Sequence, residues 1–370
     1  VVSYLRKTLN VTPDDLEDLR SRLRNTRWAR TWPRPPWQAG TDAETLRRLI
    51  AYWGDGYDWR GWETHINALP HRFAQIDGVQ IHYLRFNAGR DDALPLLLAN
   101  GWPSTFFELV ELAKMLADNG FTVIVPSLPG FTFSDARPSL DQSLPTHELW
   151  HRLMHDELGY RHYGVHGGDL GAGIAGWLAQ AHPESVVGLH LLDVDRTFTG
   201  DEGNLDTESR TFLSDFKIWA DEEGAYAHQH RTRPMTLAQG LSDSPSGLLA
   251  WILEKYRAWS DDFASFSDDF LLTQASLYWF TNTISTSLRE YYERGNGYAP
   301  TLHRVTTPTA IAWFPADLGA KPPRSWVERK YNLVRYTSMP RGGHFAAREE
   351  TSLVGNDITT FFRNVHPTAA

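Results

Sequence analysis

The chain has 370 residues, no cysteine, 15 tryptophans and a formal net charge of −9, with 41% hydrophobic and 22% charged residues. That length suits one large core with an insertion, or two domains, and the composition is that of a globular chain rather than a disordered one. The missing cysteines exclude disulfide frameworks, thiolate nucleophiles, iron–sulfur clusters and Cys-ligated zinc, and the acidic balance offers no footprint for nucleic acid and no polybasic anchor for a membrane.

The stretch from Val1 to Asp14 carries Arg6, Lys7 and polar residues at close spacing. No apolar run there suits a signal peptide or a spanning helix, so a cytoplasmic location is expected. Residues 1–70 read as helices over 13–25 and 42–53, interrupted by Trp32-Pro-Arg-Pro-Pro-Trp37, which is too proline-rich to be helical. Phe73–Ile76 and Val79–Tyr83 flank Asp77-Gly78, and Val79, Ile81 and Tyr83 alternate with polar residues, which predicts a hairpin. From Leu94 onward, short apolar runs end in Gly/Pro turns and lead into helical segments: 94–99 before a helix over 106–119, then 121–125, then 163–166 before a helix to Ala181, then 186–192. Strands apolar on both faces, alternating with helices, predict a parallel sheet covered on both sides. Between Arg196 and Thr301 the pattern turns helical, with helices expected over 248–258 and 268–293. Strands at 309–314 and 333–337 and a helix near 353–362 close the chain. The expected architecture is one doubly wound sheet with a helical insertion: an N-terminal segment at 1–90, core parts at 91–196 and 301–370, and the insertion at 197–300.

The sharpest local signal is Gly167-Gly168-Asp169-Leu170-Gly171, at a strand-to-helix junction. It has the layout of a nucleophile elbow, with Asp where hydrolases often place Ser. By itself it reads equally well as a Gly-rich turn whose Asp caps a helix. Chain order separates the two readings. Asp317 follows the strand at 309–314 and His344 follows that at 333–337, in the order nucleophile, acid, histidine that an α/β-hydrolase fold requires. Asp193 and Asp195, just past 186–192, are competing placements for the acid. Asn100-Gly101-Trp102-Pro103 ends an early strand, where this fold supplies one oxyanion N–H, here that of Trp102; the other comes from Leu170.

Further segments are distinctive: Arg20-Ser-Arg-Leu-Arg-Asn-Thr-Arg-Trp28, Tyr57-Asp-Trp59 with Asn67-Ala-Leu-Pro70, Pro126-Ser-Leu-Pro-Gly130, Asp243-Ser-Pro-Ser-Gly-Leu-Leu-Ala-Trp251 and Arg341-Gly-Gly-His-Phe-Ala346. Through these and Gly167-Gly-Asp169 the chain resembles, end to end, the microsomal-type epoxide hydrolases, which include juvenile hormone epoxide hydrolases and bacterial members of antibiotic pathways. The resemblance implies an α/β-hydrolase fold with a helical lid and an N-terminal wrap, Asp169 as nucleophile, Asp317 as acid and His344 as base. It also implies two lid tyrosines that hydrogen-bond the epoxide oxygen. Tyr226, before His228 and Arg233-Pro234, and Tyr291, in Leu288-Arg-Glu-Tyr-Tyr-Glu293, stand at the matching places, with Tyr292 as a register alternative. Asn100 replaces the usual His, Leu170 stands where Trp commonly follows the nucleophile, and Asp317 where Glu is frequent; the membrane anchor of vertebrate members is absent from this chain.

The implied activity is the opening of an apolar or aromatic epoxide to a vicinal diol, through an alkyl ester on Asp169 that His344-activated water hydrolyses, in a secondary-metabolic setting. Substrate and water are the expected partners, with no cofactor, metal, nucleic acid or membrane; a homodimer is left open. Three other readings compete. A haloalkane-type dehalogenase uses the same Asp elbow, but Leu170 cannot bind halide as a Trp there would. His147-Glu148-Leu-Trp-His151 matches the zinc-protease pattern H-E-x-x-H, yet Trp150, Met154 and Leu158 lie on the same helix face, as in a helix packed on a sheet. The scaffold can also serve binding or biosynthetic ring opening and cyclisation, and Asn100 and Leu170 keep that reading open.

Overall fold

A computed structural model describes residues 9–90, 92–198 and 200–366; Arg6 and Lys7 of the N-terminal stretch lie outside the described residues. Helix α1 (Pro13–Arg24) starts where Thr12 caps the Asp15 N–H at 3.1 Å and Asp15 accepts from the Thr12 N–H in return. This reciprocal box, with proline at the first helical position, defines the helix start from sequence alone. Leu16, Leu19 and Leu23 make its buried stripe. Helix α2 (Ala43–Asp55), capped by Asp42, buries Leu49, Ile50 and Trp53. A further helix, α3 (Trp59–Asn67), is not announced by the sequence pattern: it is short and buries only Trp59, Glu63 and Ile66.

Strands β1 (His71–Ile76) and β2 (Val79–Phe86) form the expected hairpin, and both turn residues, Asp77 at φ 50° and Gly78 at φ 77°, take the left-handed region that a tight hairpin turn requires. Next come β3 (Pro95–Ala99), α4 (Val110–Asp118), β4 (Thr122–Pro126), α5 (Thr146–Arg152), β5 (Tyr163–Gly167), α6 (Leu170–Ala181) and β6 (Val186–Leu191). A helical lid is inserted after β6: α7 (Thr207–Glu223), α8 (Ala225–Thr232), α9 (Pro234–Asp243), α10 (Pro245–Trp259), α11 (Asp268–Thr281), α12 (Ile284–Ser287) and α13 (Arg289–Gly295). The single helix expected over 268–293 is therefore three, because Asn282 adopts the left-handed conformation (φ 52°, ψ 42°) and ends α11. The chain then completes the sheet with β7 (Val305–Trp313), α14 (Arg324–Lys330), β8 (Tyr331–Ser338), α15 (Ala346–Glu349) and α16 (Thr351–Val365).

The eight strands lie in the order β1-β2-β4-β3-β5-β6-β7-β8, antiparallel only where β2 meets β1 and β4. This is an α/β-hydrolase fold. Every residue of β3, β4 and β5 is buried, as their continuous apolar runs require. From β3 the chain steps outward to β4 and then returns to place β5 on the other side of β3, so winding direction reverses between β3 and β5. Loops leaving the carboxyl ends of two such strands diverge and open a crevice. The N-terminal helices strap the lid: Trp53 Nε1 donates to Ser276 Oγ at 3.0 Å, Tyr57 and Thr273 hydroxyls meet at 2.8 Å, and the Thr41 hydroxyl donates to the Ala250 carbonyl at 2.6 Å. Among the described residues, no helix is long and apolar enough to cross a membrane.

Asp357 pins α16 to the sheet, accepting from Arg335 Nε at 2.9 Å and the Thr337 hydroxyl at 2.8 Å while its other oxygen lies 3.1 Å from His190 Nε2. Burial alone would push this carboxyl up, but the bonds from His190, Arg335 and Thr337 outweigh it and hold it well below the usual carboxylate range. A depressed folded-state pKa stabilises the fold above the unfolded value of about 4 and is lost as pH falls toward the folded one. Asp357→Ala should cost about 3 kcal/mol at neutral pH in urea unfolding. Asp357→Asn should flatten the fall in stability below about pH 4; an unaltered acid limb would remove Asp357 from that role.

Candidate active site

The crevice is built from the two loops that follow β3 and β5. Asp169 turns β5 into α6 with φ 51° and ψ −127°, a conformation that costs an L-residue roughly 1–3 kcal/mol. The turn is tight because α6 starts against β3: a Cβ on Gly171 would lie 2.5 Å from the Ala99 carbonyl oxygen. On the β3 side, a Cβ on Gly101 would overlap Asp169 Oδ1, so this backbone must also be bare for the carboxylate to lie against it. Asp169 Oδ1 accepts the Trp102 N–H at 2.8 Å, and the Leu170 N–H also bonds the carboxylate. Both backbone donors expected from the sequence therefore point at the same group, which sits at the positive end of α6. Asn100 supports the loop, its amide donating to the carbonyls of Gly101 and Ser104 at 3.1 Å each.

The other two members arrive from the far strands. Asp317 follows β7 and His344 follows β8; His344 Nδ1 lies 2.8 Å from Asp317 Oδ1, and its Nε2 lies 3.4 Å from Asp169 Oδ2. Asp193 instead pairs with Arg196 at 2.6 Å and Asp195 with Lys330 at 2.6 Å. Of the three carboxylates considered for the acid, Asp317 is the one that the structure places on the histidine. Burial lowers the affinity of the His344 ring for a proton, but the flanking charges of Asp317 and Asp169 win and hold it well above the usual histidine range. For Asp169, burial acts upward, yet His344 and the two backbone N–H groups bring the carboxyl below its ordinary value. The resting site is thus an imidazolium between two carboxylates.

Tyr226 on α8 and Tyr291 on α13 come together above Trp102. Tyr226 stacks on the Trp102 ring at 5.6 Å, and Tyr291 meets Tyr226 edge-on at 5.9 Å. Burial raises both phenols, and the nearby Asp169 charge raises them further, so they stay protonated donors. Among the described residues, the buried Tyr291 hydroxyl has no hydrogen-bond partner. Its neighbour Tyr292 lines a surface cleft with Pro138, Leu140 and Met235, since successive helix residues point about 100° apart. Helix α13 has seven residues and is held by ions on either side of Tyr291. Glu293 binds Arg137 and accepts from Arg289 Nε at 2.6 Å, Glu290 accepts from the Thr146 hydroxyl at 2.6 Å, and Arg294 donates to the Leu170 carbonyl at 2.7 Å. Sequence reasoning missed these residues, as it missed His230, which packs edge-on against Trp102 at 4.6 Å and takes the Trp251 indole N–H at 3.2 Å.

The H-E-x-x-H segment lies on α5, away from this crevice. His151 Nδ1 lies 2.9 Å from the Tyr163 hydroxyl and its ring stacks on His182, while Glu148 pairs with His182 at 3.1 Å. Leu149, Trp150, Leu153 and Met154 are buried beneath it. Among the described residues, no group of three or more His, Asp or Glu side chains is placed to hold a metal ion. A cavity of about 600 Å³ reaches Asp169 from the side and is walled by Trp177, Val194, Phe216, Leu302 and the paired Arg294.

Residues 6–109 match the family model described as epoxide hydrolase N terminus, and residues 95–234 match that of the alpha/beta hydrolase fold. The chain is 33% identical to epoxide hydrolase 1 of Sus scrofa, over 95% of this chain and 87% of that protein. The solved epoxide hydrolase of Aspergillus niger superposes with a TM-score of 0.84 at 29% identity, covering 97% of this chain and 95% of that one. The juvenile hormone epoxide hydrolase of the silkworm Bombyx mori does so with a TM-score of 0.87 at 28% identity, covering 98% and 95%.

The charge balance around His344 has a direct readout. In Asp317→Asn the ring loses one of the two carboxylates that raise it, so its titration followed by NMR should move down toward about 6.5. A His344 titration unmoved by that substitution would show that Asp317 does not hold its proton.

Proposed function

The chain belongs to the epoxide hydrolase family and is an epoxide hydrolase, and from that premise we propose the chemistry that each residue of the crevice performs. The observation that carries it is that Tyr226 and Tyr291 pack on Trp102, whose N–H binds Asp169, close enough to that carboxylate for its charge to raise both phenols. An epoxide has no carbonyl to accept a nucleophile, so its ring must be opened by displacement at carbon. Asp169 does this as it stands: a carboxylate oxygen bonds to one ring carbon, the carbon–oxygen bond of the ring breaks, and the oxygen leaves as an alkoxide that takes a phenolic hydrogen bond and proton. The product of this half-reaction is an alkyl ester of Asp169.

Once Asp169 is esterified and its charge gone, the His344 imidazolium gives up its proton, which restores the phenol that protonated the alkoxide; the neutral ring, oriented by Asp317, then takes a proton from water, whose oxygen adds to Asp169 Cγ. The Trp102 and Leu170 N–H groups, already directed at this carboxyl, hold the oxyanion that forms. Collapse breaks the Cγ–O bond to the substrate carbon, returns a proton to the departing oxygen and releases a vicinal diol. The 600 Å³ side cavity is lined by Asp193, Asp195 and Arg196 as well as by Trp177, Val194, Phe216 and Leu302, and the apolar part of that wall supports an apolar or aromatic epoxide. A leaving group retained as oxygen suits two phenols better than a halide does, which supports this reading over dehalogenation. A place in secondary metabolism belongs to the same proposal and rests on the resemblance in the sequence motifs.

Asp169→Asn should abolish diol formation, provided that intact mass shows the Asn retained; activity at the native level would end the assignment. His344→Gln should accumulate a covalent adduct on Asp169, detected by mass spectrometry after a styrene oxide pulse. Tyr226→Phe and Tyr291→Phe should each slow ring opening by roughly 10²-fold. A panel of aryl and terminal epoxides with chiral analysis of the diols should show turnover rising with apolar substituents, and halogenated alkanes should release no chloride.

A further inference from the structure

A second, much smaller cavity also reaches Asp169. Its volume is about 20 Å³, and its walls include Asn100, Ser104, Glu108, Asp169, His344 and Ala347. A polar cavity of roughly 10–15 Å³ already accommodates one water molecule if two to four polar groups face it. Here the polar groups are unusual for the interior of a protein. Glu108 is 7% exposed, and its carboxyl takes the Ser104 hydroxyl, which lies 3.2 Å from that of Tyr256. Asn100 is 4% exposed, and both bonds of its amide nitrogen run to carbonyl oxygens, which identifies the remaining atom, Oδ1, as the acceptor. That Oδ1 is buried without a hydrogen-bond partner among the described residues. An acceptor left bare in this way is destabilising, and so is a buried carboxyl unless something is gained from it.

Resting on the ester mechanism above, we propose that this cavity is the seat of the hydrolytic water, held by Asn100 Oδ1 and the Glu108 carboxyl and presented to His344 and to Asp169 Cγ. The water directs one hydrogen at the Asn100–Glu108 acceptors and the other at His344 Nε2, which leaves a lone pair facing Cγ. When His344 takes its hydrogen, the oxygen bonds to Cγ, the ester bond breaks, and the proton leaves with the diol. Burial pushes Glu108 up to about 7, against the downward pull of Ser104 and His344. A carboxyl with that property adds little charge beside a triad that already carries two carboxylates. The replacement of the usual His by Asn100 then has a chemical meaning, because a neutral amide can brace the loop with its nitrogen and hold water with its oxygen.

The test separates the two half-reactions by single-turnover kinetics with styrene oxide, following ester formation and ester loss by quenched-flow mass spectrometry. In Glu108→Leu, ester formation should stay within about twofold while ester hydrolysis slows by roughly 10- to 100-fold. Ala347→Val adds methyl groups to the cavity wall without touching any polar group, and should also slow hydrolysis selectively. It decides the matter if Glu108→Leu fails to fold. Hydrolysis at the native rate in either folded variant, or equal slowing of both steps, would overturn the water site. Failure of His344→Gln to accumulate any ester would instead overturn the mechanism beneath it.

Discussion

Two ionised carboxylates in one dry pocket are held here by the cation that stands between them, and much of the architecture around the crevice serves that arrangement. His344 bridges Asp317 and Asp169, and its proton is held there because each neighbour supplies a charge that burial would otherwise penalise. In the reaction proposed above, the same arrangement changes when Asp169 becomes an ester. One negative charge disappears, the histidine loses one of its two reasons to stay protonated, and a ring that begins as a counter-ion becomes a base at the stage where a base is needed. No backbone has to move for this conversion. It follows from the order in which charge is consumed.

The strained backbone at Asp169 is the geometric counterpart of that arrangement. Its positive φ points the carboxylate out of the β5–α6 turn toward the Trp102 N–H, and bare backbone at Gly101 and Gly171 lets the two loops approach closely enough to use it. The reversal of winding between β3 and β5 explains why these loops meet at all. The phenols are positioned from the lid, by elements with no local stiffness of their own. Helix α13 is two turns long and relies on Arg137, Thr146 and Arg289 for its hold.

The sheet was legible because strands buried on both faces read as uninterrupted apolar runs, and the meeting of Asp169, Asp317 and His344 was legible because each follows a strand in a fixed chain order. What stayed hidden had physical reasons. Helix α3 has too few apolar residues to show a period. The break at Asn282 is set by a single backbone conformation, which the helical texture of the residues around it masks. The choice among Asp193, Asp195 and Asp317 depends on which carboxylates already have a cation, and Arg196 and Lys330 could not be assigned to the first two before the chain was folded. The pairing of Arg137 with Glu293 joins positions 156 residues apart, beyond any local pattern. Glu108 carries no sequence signal, because its burial comes from tertiary packing.

The wrap across the lid has a consequence for how such an enzyme can change. Trp53, Tyr57 and Thr41 hold α10 and α11 through hydrogen bonds to Ser276, Thr273 and the Ala250 carbonyl, whereas α7 packs on α8 and, through Phe212, on Trp326 of α14. Substitutions on α10 or α11 must satisfy two neighbours at once. Phe216 of α7 faces the large cavity from a helix outside that clasp, so selection for new substrates has a freer surface on which to work there. The molecule thereby divides into a clasped frame around the triad residues and a less tightly held wall at Phe216, where the shape of the cavity depends on the fewest shared contacts.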